Sequence, residues 1–130
     1  MSAQTNSTQT NPAPNTDRYT DFLTAVADFE GVWGLYRNGW LIYPGADDQA
    51  FCPFFPSQDT ATDWEEGAKT GYIPTAITLV ELMEGVLPDL AKNNVAAGIF
   101  PTRTDGPFLP SHDQLHRDLI TAFKASLGGK

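Results

Sequence analysis

Apolar residues along this chain keep two rhythms, and the changes from one to the other mark out its elements. Tyr19, Phe22, Leu23, Val26 and Phe29 recur at helical spacing, with Thr16 or Asp17 able to cap the start and Gly31 placed to stop the helix. Residues 32–36 and 40–43 are then aromatic and branched runs joined by Arg37-Asn38-Gly39. The Asn-Gly pair supplies the positive φ values of a tight hairpin turn, so two antiparallel strands are predicted. Residues 44–49 read as a loop and 50–55 as a short strand whose Pro53 suggests an edge or a bulge. Ser57 opens a second helix with Asp59 in its first turn, where the helix dipole favours negative charge. Ala61, Trp64 and Ala68 lie on its inner face, and Asp59, Asp63 and Glu66 form an acidic stripe on the other.

The run at 72–77 predicts a further strand, and Thr78-Leu79-Val80-Glu81 has the form of a capping box. The helix it starts shows Leu79, Leu82, Met83, Val86 and Leu90 on one face. Pro88 is expected to end its regular part, with one more turn to Asn93 or Asn94. Residues 95–100 read as a buried strand. Strand, helix and strand in succession predict a right-handed crossover that sets runs 72–77 and 95–100 parallel in one sheet. Residues 107–109 add a short last strand. Ser111 caps a terminal helix with core positions Leu115, Leu119, Ile120, Phe123 and Leu127, ended by Gly128. The fold class is therefore α/β or α+β: a single domain over residues 17–127, with a mixed sheet of about five strands and four helices packed on it. Residues 1–16, nearly all Ser, Thr, Asn, Gln, Ala and Pro, are expected to be a disordered polar tail.

Several of these segments also match blocks seen elsewhere. Gly39-Trp40, Pro53-Phe54-Phe55-Pro56-Ser57, Trp64, Gly71-Tyr72, Ile77-Thr78-Leu79, Leu87-Pro88-Asp89-Leu90 and Gly98-Ile99-Phe100-Pro101, in that order, resemble a family of small bacterial proteins known only as domain-of-unknown-function family 2750. The resemblance covers about residues 19 to 120. Phe55 departs from it, since family members commonly have Trp there. The Phe-Pro-Ser entry to the second helix, with Trp64 inward, is also similar to part of the enhanced-serine-sensitivity protein family. Neither resemblance implies an activity, a cofactor or a functional residue.

Charge adds an asymmetry that the pattern alone does not show. The formal net charge of −8 arises between residues 44 and 91, where Asp47, Asp48, Asp59, Asp63, Glu65, Glu66, Glu81, Glu84 and Asp89 face the single base Lys69. Outside that segment acids and bases balance. Such a distribution bears on surface and partners rather than on fold. Direct nucleic-acid binding is disfavoured, because phosphate contacts need clustered Lys and Arg and the bases here are scattered. With no signal-peptide pattern in residues 1–16 and no apolar run near the ~20 residues of a spanning helix, the expectation is a cytoplasmic protein with no membrane partner. Cys52 has no cysteine to pair with and no neighbouring base, so it reads as a small core or boundary residue.

Catalytic signatures are absent: no Gly-x-Ser-x-Gly, no Gly-rich phosphate loop, no His-Glu-x-x-His and no cysteine pair with zinc spacing. His112 and His116, one turn apart, are the only pair with metal-ligand spacing, but no third ligand is visible. Structural boundary histidines are the plainer reading, and no metal or other cofactor is expected. Most of the aromatics between Trp33 and Phe55 are expected in the core, with Tyr36 or Tyr43 left exposed as partner anchors. The favoured function is a non-enzymatic interaction or regulatory protein that binds a basic protein through Asp47, Asp48, Asp59, Asp63 and Glu66 with Tyr36 and Tyr43 nearby. A more specific form is an inhibitor or immunity-type protein covering its target's nucleic-acid site. The alternative is a small-molecule-binding domain or unrecognised enzyme, with a pocket between sheet and last helix lined by His112 and His116. Homo-oligomerisation through an exposed sheet edge is compatible with both.

Overall fold

A computed structural model describes residues 14–128, with side chains from residue 17. The expected polar tail lies outside the described residues up to residue 13, and residues 14–16 already belong to helix α1, Pro14–Phe29. Tyr19, Phe22 and Val26 are buried as the spacing requires. Phe29, expected in the core, is 56% exposed and stacks on Trp33 with ring centroids 6.5 Å apart. The chain leaves the helix at once through Glu30, φ 59°, so the side chain of the last turn falls outside the sheet instead of beneath it.

Strand β1, Gly31–Tyr36, ends in the expected turn, with Asn38 and Gly39 at φ 57° and 143°. Only single bridges follow, at Tyr36 to Trp40 and at Tyr43 to Phe51, so residues 40–43 are not a full hairpin strand. The reason is competition: Trp33 already exchanges both backbone hydrogen bonds with Phe55, at 3.0 and 2.8 Å, and β1 offers the returning segment only its end. Strand β2, Phe51–Phe54, pairs in parallel with β4, Ala96–Ile99. Pro53 is fully buried rather than at an edge. It sits between the bridges that tie Phe51 to Tyr43 and Phe55 to Trp33. Having no N–H, it interrupts the ladder there, and the sheet divides into two two-stranded pairs.

The predicted crossover is overturned. Strand β3, Ile73–Thr78, lies antiparallel to β1 over six residues, from Gly31 opposite Thr78 to Tyr36 opposite Ile73. β4 is flanked by β2 and by Phe108, which exchanges bonds of 2.8 and 3.0 Å with Ile99 and is all that forms of the last strand. A strand-helix-strand order names a crossover only if no earlier strand offers a better edge, and here β1 and β2 both do. The result is an α+β domain of four strands, one fewer than expected.

Alternation in β1 and β2 sends Val32, Cys52 and Phe54 to one side and Leu35 and Phe55 to the other. On the second side lies helix α2, Gln58–Ala68, which inserts Ala61 and Trp64. On the first lie α1, the helical run 79–92 and α5, His112–Gly128. The α1 and α5 axes run parallel: Tyr19 donates to Asp118 Oδ2 at 2.6 Å near one end, and Ser126 donates to Asp28 Oδ1 at 2.9 Å near the other. Leu115 and Leu119 are buried in this layer, but Leu127, expected in the core, is 53% exposed: α1 meets the last turn of α5 through Ser126 and not through Leu127.

Residues 79–92 form one continuous rod with an irregular middle: α3, Leu79–Glu81; a π-helical segment, Leu82–Val86; and α4, Leu87–Lys92. The Leu87 N–H bonds the carbonyl of Leu82, five residues back. Pro88 lacks an N–H and its ring crowds the carbonyl four residues earlier, so a wider turn just before it relieves the conflict. Pro88 therefore loosens the helix upstream rather than ending it. Leu79, Leu82, Leu87 and Leu90 are the buried positions, and Leu87 takes the inward place expected for Val86.

Candidate functional site

The acidic residues fall into three separate settings. Asp47 and Asp48 sit in a short 3-10 turn, Ala46–Asp48, both with left-handed φ near 60°. Their side chains and that of Asp59 have no hydrogen-bond or ion-pair partner among the described residues. The stripe on α2 is not uniformly bare. Arg103, from the loop after β4, lies 3.3 Å from Asp63 Oδ1 and 3.2 Å from Glu66 Oε1, and its Nε donates to the Asp63 carbonyl at 3.1 Å. Glu65 is turned inward along the chain, accepting from the Thr70 hydroxyl and, at 2.7 Å, from the Gly71 N–H, so it closes the end of α2.

The third setting was not singled out from sequence. Glu81 and Asp89 project from the rod 79–92 into an open cleft of about 630 Å³, with Trp40 and Ile42 opposite and Gly85 and Asn93 on the same helix face. Among the described residues no Lys, Arg or His lines it. In an unbroken α-helix Asp89 would stand about 80° around the axis from Glu81, and Asn93 about 120°. The extra residue taken up by the π segment turns them back toward one face. Trp40 is seated by the chain beneath it: a Cβ on Gly34 would come within 3.1 Å of the indole, so the bare backbone lets the ring lie against β1. Tyr36, 43% exposed, meets the same indole edge-on at 4.9 Å. Glu81 also receives the Thr78 N–H at 3.1 Å while Thr78 caps the Glu81 N–H at 3.0 Å, which fixes its position and confirms the capping box. The signal that could have found this face is the five-residue step between Leu82 and Leu87 just before Pro88.

Tyr43 does not join Tyr36 on the surface. It is half-buried against Trp64 and Phe51, with centroids 5.0 and 5.9 Å away, and belongs to the α2 side of the core. Nor do the two histidines share a site. His112 is half-buried with Nε2 2.9 Å from the Val95 carbonyl, whereas exposed His116 lines a different cleft of about 590 Å³ between α5 and the rod, with Glu84, Met83, Phe123 and Lys124. That cleft lies between helices, not between sheet and last helix. Among the described residues no three His, Cys, Asp or Glu side chains gather as a metal site would need. Cys52 is buried, and desolvation pushes its thiol pKa up to about 12, so it stays protonated at neutral pH and inert as a nucleophile.

The edge of β3 away from β1 pairs with no strand among the described residues. The Trp33–Phe55 exchange points the Trp33 backbone away from β3, so Pro74, Ala76 and Thr78 turn their own backbone groups outward. Pro74 has no N–H and that of Thr78 is held by Glu81, leaving Ala76 as the single outward donor and blunting this edge as a template for strand addition. No described helix is long and apolar enough to cross a membrane.

A family model described as "Protein of unknown function (DUF2750)" matches residues 19–119. No curated protein and no solved structure matches the chain.

Proposed function

The chain belongs to the DUF2750 family, and from that premise we propose that it is a non-enzymatic interaction or regulatory protein that engages a basic protein surface through its acidic segment. One observation carries the reading. Of the nine acids between residues 44 and 91, only Asp63 and Glu66 are matched by a cation among the described residues, and that cation, Arg103, comes from outside the segment. Asp47, Asp48, Asp59, Glu84 and Asp89 carry no side-chain partner among the described residues. Unmatched carboxylates of this kind steer a cationic partner and exclude nucleic acid. A target whose own nucleic-acid site is basic fits the same chemistry, which gives the inhibitor or immunity-type form of the proposal. A cytoplasmic setting is part of it, supported by a buried cysteine that has no other cysteine to pair with.

Pull-downs from cell extract with the parent chain, with Asp47→Asn/Asp48→Asn and with Asp59→Asn/Asp63→Asn/Glu66→Gln test this. A partner of basic character lost from at least one variant and released by moderate salt is expected. Identical retention by all three proteins sinks the electrostatic reading. A second reading, a small-molecule site, rests on the cleft at His116, whose apolar floor from Met83, Ile120 and Phe123 is rimmed by Glu30, Glu84 and Lys124. Co-purification of a small organic molecule that His116→Ala releases would favour it over the first.

A further inference from the structure

We infer that the cleft at Trp40 receives a single cationic side chain, an arginine guanidinium or a lysine ammonium, from the protein partner. The inference rests on the interaction reading above and names the place where that contact is anchored.

Three properties of the cleft converge on that occupant. Its rim carries two carboxylates, Glu81 and Asp89, and no base among the described residues, so a cation entering it meets uncompensated negative charge. Its opposite wall is the indole of Trp40, the aromatic group that attracts cations most strongly through its face. The apolar remainder, Ile42, Val86 and Val95, suits the methylene stem that precedes a Lys or Arg head group. Each wall is also held in place. Gly34 seats the indole, the capping box fixes Glu81, and the π segment brings Asp89 round to the face of Glu81. Preorganised walls reduce the ordering cost of binding. Elsewhere the acids lack this combination: Asp63 and Glu66 are occupied by Arg103, and the cleft beside Glu84 and Phe123 carries Lys124 on its rim.

The test uses the full chain and a Gly/Ser nonapeptide carrying three arginines, with a matched peptide in which neutral citrulline replaces each arginine. Nitrogen-15 NMR follows the three indole N–H signals and the backbone amides. The arginine peptide is expected to move the Trp40 indole and the amides of Gly85 and Asn93, and the citrulline peptide to leave them in place. The near-isosteric variants Glu81→Gln and Asp89→Asn, which keep the cap and the fold, should together weaken the arginine peptide about tenfold. Trp40→Leu should do likewise. Equal binding of the citrulline peptide, or shifts confined to Asp47–Asp48 and α2, overturns the assignment of the cleft while leaving the wider reading intact. A response nowhere on the chain also overturns it. The wider reading stands or falls separately, on the extract experiment.

Discussion

Helix α2 and the rod 79–92 begin alike and end as opposites. Each is opened by a reciprocal capping box, Ser57 with Thr60 and Thr78 with Glu81, and each carries acids on its outer side. α2 is regular, places Trp64 in the core, and has Asp63, Glu65 and Glu66, though not Asp59, answered by Arg103 and by its own Thr70-Gly71 exit. The rod is broken in phase by a π segment, packs through four leucines, and leaves Glu84 and Asp89 beside two clefts without a side-chain partner among the described residues. Equal local chemistry at the start therefore says little about use. What separates the two is whether the rest of the chain returns a cation to the acidic face, and whether the helix phase brings those acids to an aromatic wall.

The largest effects should come from the buried anchors. Trp64→Ala on α2 and Leu87→Ala on the rod should each destabilise by about 2–5 kcal/mol in denaturant melts. Val86→Ala should cost about 1 kcal/mol or less, since the side chain is only half-buried. That contrast is diagnostic of phase. If Val86→Ala proved costlier than Leu87→Ala, the rod would be an ordinary α-helix with the inward stripe first read from sequence, and its difference from α2 would disappear. Next in size are the caps. Ser57→Ala and Thr78→Ala should each cost about 1 kcal/mol, and Thr78→Ala should additionally loosen Glu81 and weaken arginine-peptide binding, whereas Ser57→Ala should leave binding unchanged.

Arg103→Gln should lower stability by less than about 1 kcal/mol, because the pairs are about half exposed and solvent screens them. Its larger consequence is functional. With Arg103 removed, the stripe Asp59-Asp63-Glu66 loses its cation, and capture of basic partners at low salt should rise if α2 is held in reserve by that contact. Unchanged capture would mean that α2 is a solubilising face and that the rod alone carries binding.

Sequence pattern was sufficient where the physics is local. The Asn38-Gly39 turn, the caps at Ser57, Thr78 and Ser111, and the inward faces at Phe22 and Val26, Ala61 and Trp64, and Leu115 and Leu119 all depend on residues within a turn or two of one another. It failed where partners compete across the chain. Pairing of β3 with β1 rather than β4 depends on which edge is open, and the reduction of residues 40–43 to bridges depends on Phe55 having claimed Trp33. The separation of Tyr36 from Tyr43, and the meeting of Trp40 with Glu81 and Asp89, are tertiary facts with no periodic signature. The Leu82-to-Leu87 step was visible, but a helical template of threes and fours assigns the inward place to Val86.

The smallest expected change in stability tests the most specific part of the comparison. Removing Gly85 takes one residue out of the π segment and leaves Leu82 and Leu87 four apart, so both can face inward from an unbroken α-helix. No packing contact is lost with it, since nothing stands within 4 Å of where its side chain would be. The regained α-helical phase offsets the strain that Pro88 reintroduces, so stability should stay within about 1 kcal/mol of the parent. Glu81 and Asp89 then stand seven apart, about 20° around the axis of an unbroken helix, so they keep one face and the arginine peptide should bind within about twofold of the parent. Lost binding would show that the cleft needs the wider turn itself and not only the register it sets. Collapse of the fold would show that the irregular turn is held by packing and is a structural necessity. Stability and binding kept together would mean that the π turn holds both faces of the rod in phase around one extra residue, and that the rod, unlike α2, reaches its acidic face through register alone.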